Sequence, residues 1–64
     1  MTIEEIRANA PYGATTYVEN NELVYYLRFK NNRWEVFFNY DSHKGWGLAN
    51  QYAITTHIDK LKPL

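Results

Sequence analysis

The chain has 64 residues, with two Trp, six Tyr and three Phe, no Cys, and seven basic residues against seven acidic ones. A chain of this length forms one domain that buries only about 60% of its unfolded surface, near the lower limit for independent folding. The absence of cysteine excludes disulfides, thiol catalysis and thiolate zinc sites, and zero net charge removes the broad field that draws proteins to nucleic acid or anionic membranes.

The opening Met1-Thr2-Ile3-Glu4-Glu5 has neither a basic stretch nor a following apolar region, and no apolar run approaches the length of a membrane span. A soluble cytoplasmic protein is expected. Thr2 to Ala10 predicts a short helix: Thr2 is the N-cap, Glu5 completes a capping box, and Glu4 and Glu5 place anions in the first turn. Pro11 and Gly13 end it. Ile3, Ile6 and Ala10 fall on one side, so a helix too short to stand alone is expected to pack on a sheet through that edge.

Asn20-Asn21 and Asn31-Asn32 each read as a two-residue hairpin turn, because Asn tolerates the positive φ that type I′ turns require. Around Asn31-Asn32, Lys30 faces Arg33, and the pairing runs outward as Phe29 with Trp34, Leu27 with Val36, Tyr25 with Phe38 and Leu23 with Tyr40. On the opposite face Arg28 meets Glu35 as a cross-strand ion pair, Tyr26 meets Phe37, and Val24 meets Asn39. Around Asn20-Asn21, Glu19 faces Glu22, Val18 pairs with Leu23, Thr16 with Tyr25 and Ala14 with Leu27. Both turns send Leu23, Tyr25 and Leu27 to the same face. That agreement fixes a three-stranded meander over 14–40, since a one-residue slip would invert a whole strand.

Asp41-Ser42-His43-Lys44-Gly45 reads as a polar loop, and Trp46-Gly47-Leu48-Ala49 as a fourth strand or part of a longer excursion. Tyr40 facing Trp46 would put Trp46 and Leu48 on the Leu27 face; a loop one residue shorter would put Trp46 on the other. In the tail, Ile54, Thr56 and Ile58 alternate as in a strand, while Ile54, Ile58 and Leu61 recur at helical spacing. The β-branched run Ile54-Thr55-Thr56 favours a strand ending before Pro63.

These elements predict an α+β fold, a short N-terminal helix packed on an antiparallel meander of three to five strands. If helix and tail cover the Leu23, Tyr25, Leu27 and Phe29 face, the other face keeps Tyr17, Val24, Tyr26 and Phe37 as an aromatic patch rimmed by Arg28 and Glu35. Either the C-terminal segment folds over this patch, or it serves a protein partner or self-association. His43 beside Asp41 carries the residue types of acid/base chemistry but no positioned partner or cleft, and His43 and His57 make no recognised zinc spacing. No catalytic residue, metal or cofactor is expected. Trp34 and Trp46 read as core anchors ahead of interface hot spots, and Arg28, Lys30, Arg33 and Lys44 as a small basic edge that blunts unwanted strand pairing.

The stretch Ile6-Arg7-Ala8-Asn9-Ala10-Pro11-Tyr12-Gly13-Ala14-Thr15-Thr16-Tyr17, the aromatic strand pair around Trp34 and the close Ile58-Asp59-Lys60-Leu61-Lys62-Pro63-Leu64 resemble small proteins of bacteriophages and prophages. In those, an Asn-Ala-Pro-x-Gly-Ala-Thr-x-Tyr opening precedes a short aromatic-rich sheet and the chain ends in Lys-Pro-Leu. This chain has Thr16 where that pattern often carries His. The resemblance brings no catalytic residues, since the family is largely without assigned activity. It implies a non-enzymatic accessory protein that binds and modulates a host or phage protein, such as a defence or transcription component. The alternatives are a small single-stranded nucleic-acid binder that stacks bases on Tyr17, Tyr26 and Phe37, and a structural virion subunit.

Overall fold

A computed structural model describes residues 2–21, 23–40 and 43–64. The fold is α+β: helix α1 (Ile3–Ala8), strands β1 (Thr16–Asn20), β2 (Leu23–Lys30), β3 (Arg33–Tyr40) and β4 (His43–Leu48), helix α2 (Gln51–Thr56), a 3-10 turn (Ile58–Lys60) and the short strand β5 (Lys62–Pro63). The strands form one antiparallel sheet in the order β4-β3-β2-β1-β5.

Helix α1 forms where the capping pattern places it. The Thr2 hydroxyl accepts from the Glu5 N–H at 3.2 Å, and the Glu5 carboxylate accepts from the Thr2 N–H at 3.4 Å. It ends at an Asn9 cap, short of the expected Ala10, because the residue before Pro11 is disfavoured in helical conformation.

The Asn31-Asn32 turn has the expected form, with φ of 55° and 62°. Lys30 pairs with Arg33, Phe29 with Trp34, Arg28 with Glu35 and Leu27 with Val36. Beyond Leu27↔Val36 the expected pairs of β2 with β3 are not made among the described residues. There β2 stays with β1 and β3 stays with β4. Two-stranded ribbons twist more strongly than wide sheets, and the two hairpins diverge.

The β1–β2 register differs from the expected one. Asn20 pairs with Leu23, Val18 with Tyr25 and Thr16 with Leu27, and Asn21 has φ 52°; Glu22 lies outside the described residues. The pairing shifts by two, which keeps every side chain on its expected face. It also sets Glu19 against Val24 in place of the like-charged Glu22, a facing pair that would be unfavourable.

Two expectations in the second half are overturned. His43, Lys44 and Gly45 belong to β4 rather than to a loop: Tyr40 pairs with His43, which sets Phe37 opposite Trp46. Asp41 and Ser42 lie outside the described residues. The tail is helical where a strand was expected. Asn50 caps α2 by accepting from the Ala53 N–H at 3.1 Å, and the β-branched threonines fit because their hydroxyls donate back to helix carbonyls, Thr55 to Gln51 at 3.0 Å and Thr56 to Tyr52 at 2.8 Å.

The helices lie on opposite faces of the sheet, and the expected assignment of faces is reversed for α1. It packs on the Tyr17 and Tyr26 face: Ile6 is buried, Tyr17 is only 7% exposed, and the Tyr26 hydroxyl donates to the Ile6 carbonyl at 2.7 Å. That carbonyl is one of those a helix end leaves without an internal partner. The tight Pro11–Ala14 turn, closed by the Ala14 N–H donating to the Pro11 carbonyl at 3.1 Å, returns the chain over the same face. There an Arg28 guanidinium nitrogen lies 3.3 Å from where a Cβ on Gly13 would sit. Both faces are apolar, so short connections and these polar anchors decide the side. Leu27, 1% exposed, is the buried centre of the other face.

Candidate apolar groove

The Leu27 face is covered only in part. Gln51, the first residue of α2, ties the helix to β3. Its side-chain amide donates to the carbonyls of Trp34 at 2.8 Å and Ala49 at 2.7 Å, and its side-chain carbonyl accepts from the Trp34 N–H at 2.7 Å. A side chain thus continues the sheet where β4 has ended. From that anchor α2 runs toward β1, and Ile54, Leu61, Val18 and Tyr25 line a smaller hollow between them.

Past α2 the face is open. A groove of about 690 Å³ is bounded by Val18, Leu23, Tyr25 and Leu27 on one wall and by Val36, Phe38 and Ile54 on the other. Leu23 is 58% exposed and Tyr25 41%. Volume and lining match sites that take apolar groups. Beyond α2 in the other direction, Phe29 is also exposed, tilted 56° against Trp34 with ring centroids 5.3 Å apart.

β4 shapes the open wall by what it lacks. Gly45 and Gly47 pair with Phe38 and Val36, so at those positions β4 adds no side chain to the groove face. The Phe38 ring takes the space of a Cβ on Gly47, with Cδ2 2.9 Å from that position. Any side chain at Gly47 would displace the ring.

The expected contact residues are placed as follows. Tyr17 is buried and Tyr26 half-buried beside α1, and burial pushes the Tyr26 hydroxyl above the ordinary tyrosine pKa. Arg28 and Glu35 form their ion pair with Nε and Oε1 2.6 Å apart, and the guanidinium lies 4.3 Å over the Trp46 ring, an attractive arrangement for Arg. Trp46 meets Phe37 edge to face at 5.5 Å. Val24 and Phe37 are half-buried and line the groove. Leu23, Tyr25 and Phe38, which sequence patterning assigns to a covered core, form much of the open surface. No signal in the pattern distinguishes the two faces, because both alternate apolar residues.

Among the described residues no group of His, Asp or Glu is placed to hold a metal, and no helix is long and apolar enough to cross a membrane. Comparison of the chain with protein families, curated proteins and solved structures matches none of them, so the reading of the groove rests on its geometry.

Proposed function

We propose that this chain is a non-enzymatic phage or prophage accessory protein that binds and modulates a host or phage protein in the host cytoplasm. The observation that carries the reading is the open end of the Leu27 face, where Leu23 and Tyr25 stay exposed beside an apolar groove. Exposed apolar surface on a small domain loses its contact with water when a partner covers it. The phage setting draws on the resemblance of the two ends of the chain. Leu23, Tyr25 and Phe38 are the contacts in this reading, with Val24 and Phe37 retained from the expected set; Tyr17, Tyr26, Arg28 and Glu35 hold α1 and the opposite face together.

The test is sedimentation of the purified protein, followed by capture from host lysate with wild type and with Leu23→Ser and Tyr25→Ser. A monomer that retains a defined protein, and loses it by tenfold or more in either variant, supports the reading. Retention of the same protein by both variants removes the groove from it. A particle of fixed higher mass with no captured protein would favour a structural subunit instead.

A further inference from the structure

The groove is more than a gap between side chains, because its lining includes runs of consecutive residues, Leu23 to Tyr25 on β2 and Val36 to Asn39 on β3. Successive residues of a strand point to opposite faces. Residues pointing to either face line the groove only if their backbone contributes to it, and the β2–β3 pairing ends at Leu27↔Val36.

The pairing pattern identifies the backbone groups that face this cleft. In an antiparallel ladder, alternate residues turn their N–H and C=O to the same neighbour. The Leu27 carbonyl accepts from the Thr15 N–H at 3.1 Å, and Leu23, Tyr25 and Leu27 alternate along the β1–β2 ladder, so all three bond toward β1. The Trp34 carbonyl accepts from the Ala49 N–H at 3.2 Å, in register with the Tyr40–His43 pair, so the even-numbered residues of β3 bond toward β4. Val24 and Asn39 therefore turn their N–H and C=O into the cleft, with Tyr26 and Phe37 at its closed end. Among the described residues no strand pairing reaches Val24 or Asn39 from the cleft side.

We infer that the cleft is a receptor for an extended, uncharged peptide segment of the partner protein, which pairs through its main chain with Val24 on β2 or Asn39 on β3. Two observations select this occupant. Facing edges of a parted sheet offer donors and acceptors at strand spacing, which an extended peptide matches and a purely apolar molecule does not. None of the described residues lining the cleft is charged, so a segment with apolar side chains at alternate positions fits where a charged one would be desolvated without a counter-ion. The inference rests on the proposed function and specifies how that partner is held.

Amide hydrogen exchange tests it in two stages. In the free monomer, the Val24 and Asn39 amides exchange at least tenfold faster than that of Tyr25; if they are as protected as Tyr25, the cleft is closed and the inference fails. Protection that appears only as protein concentration rises identifies a second copy as the occupant and likewise overturns it. A display library of random linear dodecapeptides is then selected on the immobilised protein, and a synthetic peptide of the recovered sequence is added in solution. Uncharged sequences with alternating apolar residues are expected, and their addition slows exchange at Val24 or Asn39 at least tenfold. Val24→Pro and Asn39→Pro each remove one N–H that faces the cleft and none that the β1–β2 or β3–β4 ladders use. At least one of the two weakens the peptide at least tenfold, judged on variants whose thermal unfolding stays cooperative. Recovery of charged sequences, or of peptides that bind both variants as they bind wild type, overturns the inference. If the lysate partner still binds in that case, the proposed function stands without the cleft; if nothing but single-stranded DNA oligonucleotides binds, both fall.

Discussion

The Tyr26 hydroxyl and the Ile6 carbonyl meet at 2.7 Å, joining the middle of β2 to a helix-end carbonyl of α1. This bond marks the face that α1 covers, and so the face left open for a partner. Removing it by Tyr26→Phe is expected to cost about 1 kcal/mol, the usual net worth of such a bond, and to lower the melting temperature of a domain this small by about 4–8 °C. Thermal unfolding of the two proteins at neutral pH measures it.

The same hydroxyl gives stability a pH dependence. Its folded pKa is raised by burial, so the unfolded chain releases this proton first. The contribution is complete below the ordinary tyrosine pKa of about 10 and is lost as pH rises from there through the raised folded value. Denaturant titrations between neutral pH and strongly alkaline pH are expected to show a decline that is shallower in Tyr26→Phe.

Gly47 is held open for the Phe38 ring. Gly47→Ala is expected to destabilise by about 1–3 kcal/mol through overpacking, and Phe38→Leu in the same chain should restore part of the loss. A double-mutant cycle from denaturant midpoints measures the coupling. If the two losses simply add, ring and glycine are independent.

Gln51 continues the sheet beside Trp34 and anchors α2. Gln51→Ala removes three hydrogen bonds and is expected to cost about 1–3 kcal/mol by leaving half-buried backbone groups without partners. Faster amide exchange along Gln51–Thr56 would accompany it, with β1 and β2 unchanged.

The β2–β3 register was legible because Asn31-Asn32 is a turn whose chemistry matches its required φ, and because Arg28 and Glu35 then fall opposite each other. The β1–β2 register differs by two residues from the one the Asn20-Asn21 turn predicts, without consequence for the faces, since side chains alternate with a period of two. The strand propensity of Ile54-Thr55-Thr56 hides helix α2; the Ile54, Ile58, Leu61 spacing is the competing signal, and the Asn50 cap and the threonine hydroxyls seen in the structure let it prevail. Which helix covers which face was not legible. Tyr17 and Tyr25 look alike in a pattern of alternating apolar residues, and only the short return through Pro11–Ala14 and the Tyr26 anchor separate them. That β2 and β3 stop pairing past Leu27↔Val36 is not legible in a pairwise matching of residues, which continues apolar opposite apolar to Leu23 and Tyr40.

Asn32 has φ 62°, a conformation that glycine adopts more freely. Asn32→Gly is expected to stabilise by several tenths of a kcal/mol and Asn32→Val to destabilise by about 1 kcal/mol or more, with the β2–β3 register unchanged. Chemical denaturation of both variants measures the difference in sign.

The most direct measurement is the amide chemical-shift footprint of the captured host or phage protein on the isotope-labelled chain. The account expects the largest changes at Leu23, Val24, Tyr25 and Ile54, around the open groove. Changes confined to Tyr12, Arg28 and Trp46, on the face that α1 covers, would contradict it.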